Sequence, residues 1–174
     1  RWLALVANQV RQKPENYGTV RAAIERSAAY APSQVRFLGG AILSLAAGQW
    51  DAAQAELDDW QMVAGQDVDD ITATLAACAR VEAIEYLGLP DIVPALDNLM
   101  AASVRLEDLS LLQEELFTIP LALDAQLERY KVAVSAHDVV EHGLSFLRDL
   151  LERYPDALPV RRTYADLLLE TGRR

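Results

Sequence analysis

The sequence predicts an all-α fold, and three observations carry the prediction. Ala (28) and Leu (27) supply nearly a third of the 174 residues, while Gly (8) and Pro (7) are modest. Ala and Leu lose least on entering a helix and are weak strand formers. Apolar residues recur at spacings of three and four almost throughout, and strict alternation is rare. Short breakers then punctuate the chain regularly, at Pro14, Pro32-Ser33, Gly48-Gln49, Gly65-Gln66, Gly88-Leu-Pro90 and Pro155-Asp156.

Taken in order, these signals place helices at about 2–12, 17–30, 34–47, 50–64, 68–87, 91–104, 107–118, 122–136, 138–154 and 158–171. The second carries the stripe Tyr17, Val20, Ile24, Ala28 and Ala31. The fourth repeats it with Trp50, Ala53, Leu57, Trp60 and Ala64, and the ninth with Val140, Leu144, Leu147, Leu151 and Tyr154. Each is one face of an amphipathic helix. Ser33, Asp67 or Asp69, and Asp138 read as N-caps, and Asp138 with Glu141 three residues on forms a variant of the capping box. Connections of two to five residues force neighbouring helices to run antiparallel.

A recurring element emerges when the helices are overlaid: a small residue, a large apolar residue four positions on, and a breaker eight positions later. Val20, Ile24 and Pro32 fit it, then Ala53, Leu57 and Gly65, then Gly143, Leu147 and Pro155. Small residues let helix axes approach, large ones fill the gap, and the breaker ends the helix. The stretch from Phe37 to Leu57, FLGGAILSLAAGQWDAAQAEL, resembles a hairpin of the tetratricopeptide repeat family. So does Phe146 to Arg173, FLRDLLERYPDALPVRRTYADLLLETGR. The resemblance covers 1–66 and 122–174 and fades over 67–121, where Pro94 and Pro120 interrupt the pattern. It implies a right-handed solenoid of antiparallel helical hairpins, a tetratricopeptide-like superhelix with a degenerate middle, making one domain over 1–174. Because the chain begins at Arg1 rather than Met, it is also expected to be a segment of a longer protein.

Charge narrows the partners. Sixteen Lys and Arg against 26 Asp and Glu leave a net charge of −10, and such a surface repels phosphate backbones and anionic lipid headgroups. No nucleic-acid partner is therefore expected. No apolar run reaches 18 residues, so no membrane insertion by this segment is expected either. The single cysteine, Cys78, is compatible with cytoplasm and periplasm alike.

Chemistry-bearing residues are few, and no catalytic residue, cofactor or metal is expected. In the run His137-Asp138-Val-Val-Glu141-His142 the histidines are five apart, which points them about 140° away from each other on a helix. A zinc site of the H-x-x-E-H kind needs one residue fewer. Cys78 lies in an Ala-rich helix with no histidine near in sequence and reads as a buried filler. Asp67-Val-Asp69-Asp70 precedes a helix start, where carboxylates complement the dipole, and it lacks the glycine and closing glutamate of a calcium loop. Gly39-Gly40 sits within a helix and reads as a point of close packing. Trp50 and Trp60 fall on the core stripe, while Trp2 lies at the end of the chain.

The function expected from the family resemblance is a non-enzymatic scaffold binding a peptide or protein segment on its concave face, within a bacterial multi-protein assembly. The first helix of each hairpin would line that face. Where the register is readable, this gives Leu5, Gln9 and Gln12, then Leu38 and Ile42, then Glu128 and Val132, then Arg162 and Asp166. Leu38 and Ile42 equally fit packing under the neighbouring hairpin. The alternatives are a sensing or oligomerisation domain of a bacterial regulator, or a periplasmic scaffold in an envelope or polysaccharide-export protein.

Overall fold

A computed structural model describes residues 2–27, 33–64, 68–106 and 116–172. Among them are nine α-helices: α1 (Trp2–Gln12), α2 (Tyr17–Ser27), α3 (Ser33–Ala46), α4 (Trp50–Val63), α5 (Asp70–Leu87), α6 (Ile92–Ser103), α7 (Leu123–Ala136), α8 (Val140–Arg153) and α9 (Leu158–Glu170). The fold is all-α, and consecutive helices pack on one another in chain order. One buried apolar cluster extends from Ala7 in α1 to Leu167 in α9.

The turns divide the helices into two kinds. Gly48, Gly88, Asp138 and Gly172 all have positive φ, and they follow α3, α5, α7 and α9. After α3 the Gly48 amide donates to Leu45 at 3.0 Å and the Gln49 amide to Ser44 at 2.8 Å. After α7 the Asp138 amide donates to Ser135 at 3.2 Å and the Val139 amide to Val134 at 2.9 Å. This pair of bonds around a left-handed residue satisfies the last carbonyls of a helix and reverses the chain sharply. Other helices end differently: Lys13 after α1 has φ −139°, Ala64 after α4 is extended, Val104 after α6 is helical, and Tyr154 after α8 has φ −131°. Thirty-four residues separate Asp138 from Gly172. The odd helices also meet one another, α1 on α3, α3 on α5 and α7 on α9.

Two close approaches fix the hairpins. A Cβ on Gly143 of α8 would lie 3.1 Å from Cγ1 of Val134 on α7, tighter than ordinary contact. A Cβ on Gly40 of α3 would lie 2.8 Å from the carboxylate of Glu56 on α4. Gly39, expected to share this role, meets no such neighbour among the described residues. The stripes of α4 and α8 behave as their period requires, while Ala28 and Ala31 of the first stripe lie outside the described residues. Ala53 and Leu57 of α4 and Gly143, Leu144, Leu147 and Leu150 of α8 are buried. Trp50 and Trp60 pack on the same core, and Trp50 stacks on Tyr86 of α5 with ring centroids 4.0 Å apart.

Three expectations need correction. Asp138 is not an N-cap: its φ of 55° puts it in the left-handed turn that ends α7, and Val139 precedes α8 without a side-chain cap. The helix expected at 107–118 lies mostly outside the described residues, and its described end is irregular from Phe117 onward. The physical reason is Pro120, which disfavours helical geometry at Ile119. Third, α5 is not amphipathic, since eight of its residues between Thr74 and Ile84 are buried. Asp69 does cap α5, accepting the Thr72 amide at 2.9 Å. Ser33 opens α3, while Asp67 and the side chain of Trp2 lie outside the described residues.

Two substitutions test this packing. Leu147 is fully buried between α8 and its neighbours, so Leu147→Ala should cost about 2–5 kcal/mol in urea unfolding. Asp138→Gly should raise stability by about 1 kcal/mol, because glycine adopts the left-handed conformation without steric penalty.

Candidate functional site

The nine residues expected to line a groove fall into three groups. Leu5, Gln9 and Gln12 of α1 are exposed, Leu5 to 67%. Glu128 and Val132 of α7 are also exposed, Val132 to 65%, as is Arg162 of α9. Lys131 ties α7 to α9, with its amine 3.1 Å from Glu128 and 3.7 Å from Glu170. Asp166 adds to the negative field around that amine. Leu38 and Ile42 do not belong to a surface. They are 6% and 0% exposed, and every residue from Leu38 to Ala46 is buried. These two side chains are committed to helix packing and are corrected from contact residues to core.

The segment Leu116–Leu121 spans odd helices between α6 and α7. Leu116, Phe117, Ile119 and Leu121 are each 4–6% exposed and join the main cluster. Its backbone is held by side chains of three odd helices. Arg11 of α1 donates to the Leu116 carbonyl, and Gln126 of α7 donates to the Pro120 carbonyl. Glu82 of α5, itself fully buried, accepts the Thr118 amide at 2.8 Å through Oε2. The other oxygen of Glu82 and the amide oxygen of Gln126 have no hydrogen-bond donor among the described residues. A buried acceptor left unmet costs about 1–3 kcal/mol. Beside the segment, Glu85, Tyr86 and Arg129 line an open recess with Thr118, Ile119 and Pro120, and Arg129 is paired with Glu85.

Sequence reasoning missed both Glu82 and this segment, because they lie where the repeat pattern fades. One signal was available. Glu82 interrupts the run Val81, Ala83 and Ile84, and a carboxylate inside an apolar helix needs a donor nearby.

A second polar network joins α2, α3 and α4. Arg21 donates to the Tyr17 hydroxyl at 2.6 Å and pairs with Glu56, and the buried Ser44 hydroxyl donates to Glu56 at 3.1 Å. Burial pushes the Glu56 carboxyl above its ordinary range, against the opposing pull of Arg21 and Ser44. Burial alone would lower the Arg21 guanidinium, but the bond to Tyr17 and the charge of Glu56 outweigh it and raise its pKa. Glu56 is thus an inter-helix strut rather than a free residue of the outer surface.

The remaining chemistry is sparse. Burial, with Glu82 adding to it, pushes the Cys78 thiol up to about 12, so at neutral pH it is a protonated filler. His142 of α8 lies 2.7 Å from Asp97 of α6, and His137 sits at the end of α7. No group of three or more His, Cys, Asp or Glu among the described residues is arranged to hold a metal. No described helix is long and apolar enough to cross a membrane. A cleft of about 340 Å³ between α4, α5 and α6 has Leu57, Trp60 and Ala76 in its wall. Arg80 and Arg105 at its edge are matched by Asp58 and Asp70. No family profile matches the sequence, and neither a curated protein nor a solved structure matches it.

The raised pKa of Glu56 has a sign that can be measured. The folded state holds this proton more tightly than the unfolded chain, so the contribution of Glu56 is full in acid and declines as pH rises through the carboxylate range. Urea unfolding should show wild type losing stability relative to Glu56→Gln as pH is raised from below 4 to 7. The opposite slope would mean that the attraction of Arg21 exceeds the effect of burial.

Proposed function

We propose that this chain is a non-enzymatic scaffold of the tetratricopeptide kind, whose odd-helix face holds a segment of a protein partner. In this reading the hairpins form a right-handed solenoid, with α1, α3, α5, α7 and α9 on the concave side. The left-handed turn after each of α3, α5, α7 and α9 and the contacts between odd helices support a two-helix unit. The observation that carries the functional reading is the way Leu116–Leu121 is held. Side chains from odd helices bind its main chain while its apolar side chains are buried, which is the chemistry of peptide recognition. Leu5, Gln9 and Gln12 at one end, and Glu128, Val132 and Arg162 at the other, are the exposed positions flanking that centre, with Asp166 half-buried beside them.

Site-specific photo-crosslinking in the native host tests the proposal. A crosslinking residue at Leu5 or Val132 should capture one and the same protein, and Gln9→Ala with Glu128→Ala should weaken that capture about tenfold. That factor corresponds to about 1.4 kcal/mol. Capture from Arg148 or Glu152 on α8, with none from the odd helices, would move the site to the other face and end this reading.

A further inference from the structure

We propose that Leu116–Leu121 is a resident ligand of the odd-helix face, displaced when a partner presents a non-helical apolar segment of the same kind. The inference rests on the scaffold reading above and specifies what its surface accepts. Three features of the segment carry it. Its side chains at 116, 117, 119 and 121 are large, apolar and buried, while Thr118 and Pro120 between them are exposed. Its main chain is recognised by side chains from α1, α5 and α7 rather than by helix or sheet partners. A groove that reads main-chain groups and apolar side chains in this way binds by segment shape and spacing, so another chain with that spacing fits it.

The third feature is that the resident segment fits imperfectly. Among the described residues the fully buried Glu82 receives one donor, the Thr118 amide, and its second oxygen receives none. Among the same residues the buried Gln126 has its amide nitrogen used and its oxygen unmet. Proline at 120 offers the groove no N–H. Two buried acceptors beside a donor-poor segment are a standing advantage for a competitor that brings more donors. The partner is therefore a protein segment with apolar residues spaced like Leu116, Phe117, Ile119 and Leu121, and with free backbone or side-chain donors between them.

The test uses the full chain and a labelled peptide of sequence Leu-Phe-Thr-Ile-Pro-Leu-Ala-Leu, which is residues 116–123, carrying a lysine tail for solubility. Two variants weaken the resident copy independently. Thr118→Pro removes the N–H that Glu82 accepts while leaving the buried apolar side chains unchanged, and Phe117→Ala removes an anchor. Both should bind the peptide at least tenfold more tightly than wild type, and a peptide with proline in place of threonine should bind at least tenfold more weakly. In wild type, the amides of Phe117, Thr118, Ile119 and Leu121 should exchange with solvent through an opening that leaves α1 and α5 protected. Absent peptide binding in variants of full helical circular dichroism would overturn the inference. So would loss of that helical signal in both variants, or exchange of those amides only on global unfolding, since each makes the segment part of the folding core. Crosslinks confined to the odd helices alongside any such result would leave the scaffold reading standing and remove only this one.

Discussion

A left-handed residue after each of α3, α5, α7 and α9 is the constraint on which the rest of this molecule depends. It closes the preceding helix with two backbone bonds and turns the chain within a few residues, so the next helix must return antiparallel against the one just ended. The breaks after α4 and α8 lack this geometry and use residues outside the left-handed region instead. With these connections α1 lies against α3, α3 against α5, and α7 against α9. Glycine meets the requirement at three of the four positions, and Asp138, whose short polar side chain tolerates it, at the fourth.

Once odd helices are neighbours, they are enclosed on more than one side, and this changes what their sequences must contain. The even helix α8 buries a single stripe of Gly143, Leu144, Leu147 and Leu150, flanked by the half-buried Val140, Phe146 and Leu151, and exposes its opposite face. By contrast, α3 is buried at every position from Leu38 to Ala46, and α5 at most positions from Thr74 to Ile84. Polar groups on such helices need partners inside the protein. Ser44 finds Tyr17 and Glu56, and Glu56 finds Arg21, so that network is closed. Among the described residues Glu82 finds one backbone amide, and its second oxygen is left without a donor. The same architectural cause thus yields one closed strut and one buried carboxylate that is half satisfied.

The contrast explains what could be read from the sequence. Periodicity and breakers together located the helices to within a few residues at their described ends, and α4 and α8, which bury one face, carry the clear 3.6-residue stripe. The bounds of α5, buried along most of its middle, were legible from the cap at Asp69 and the breaker Gly88-Leu-Pro90. Leu38 and Ile42 illustrate the limit of register arguments. Their positions on α3 follow the expected face, but whether that face meets water depends on what lies over it. Glu82, Gln126 and Leu116–Leu121 were illegible because their meaning is tertiary: a carboxylate, an amide and a proline-containing loop far apart in sequence form one set of hydrogen bonds. Asp138 misled because aspartate suits both an N-cap and a left-handed turn, and only the backbone dihedral distinguishes them.

Charge completes the picture of the odd-helix face under the proposed reading. At its α1 end the exposed groups are the neutral amides of Gln9 and Gln12 beside Leu5, with Arg11 turned to the Leu116 carbonyl. At its α7–α9 end Glu128, Asp166 and Glu170 surround Lys131, so the local sum of these four side chains is negative. That sign agrees with the net charge of −10 on the whole chain. The two ends therefore differ in polarity, and a bound segment would meet an apolar centre, a neutral end and an acidic end. Such asymmetry fixes the direction in which a chain lies: a segment with a basic flank gains at the α7–α9 end and nothing at the other. The apolar centre supplies the hold, because exposed charge pairs are worth little in water, while the acidic end supplies orientation and speeds encounter with basic partners.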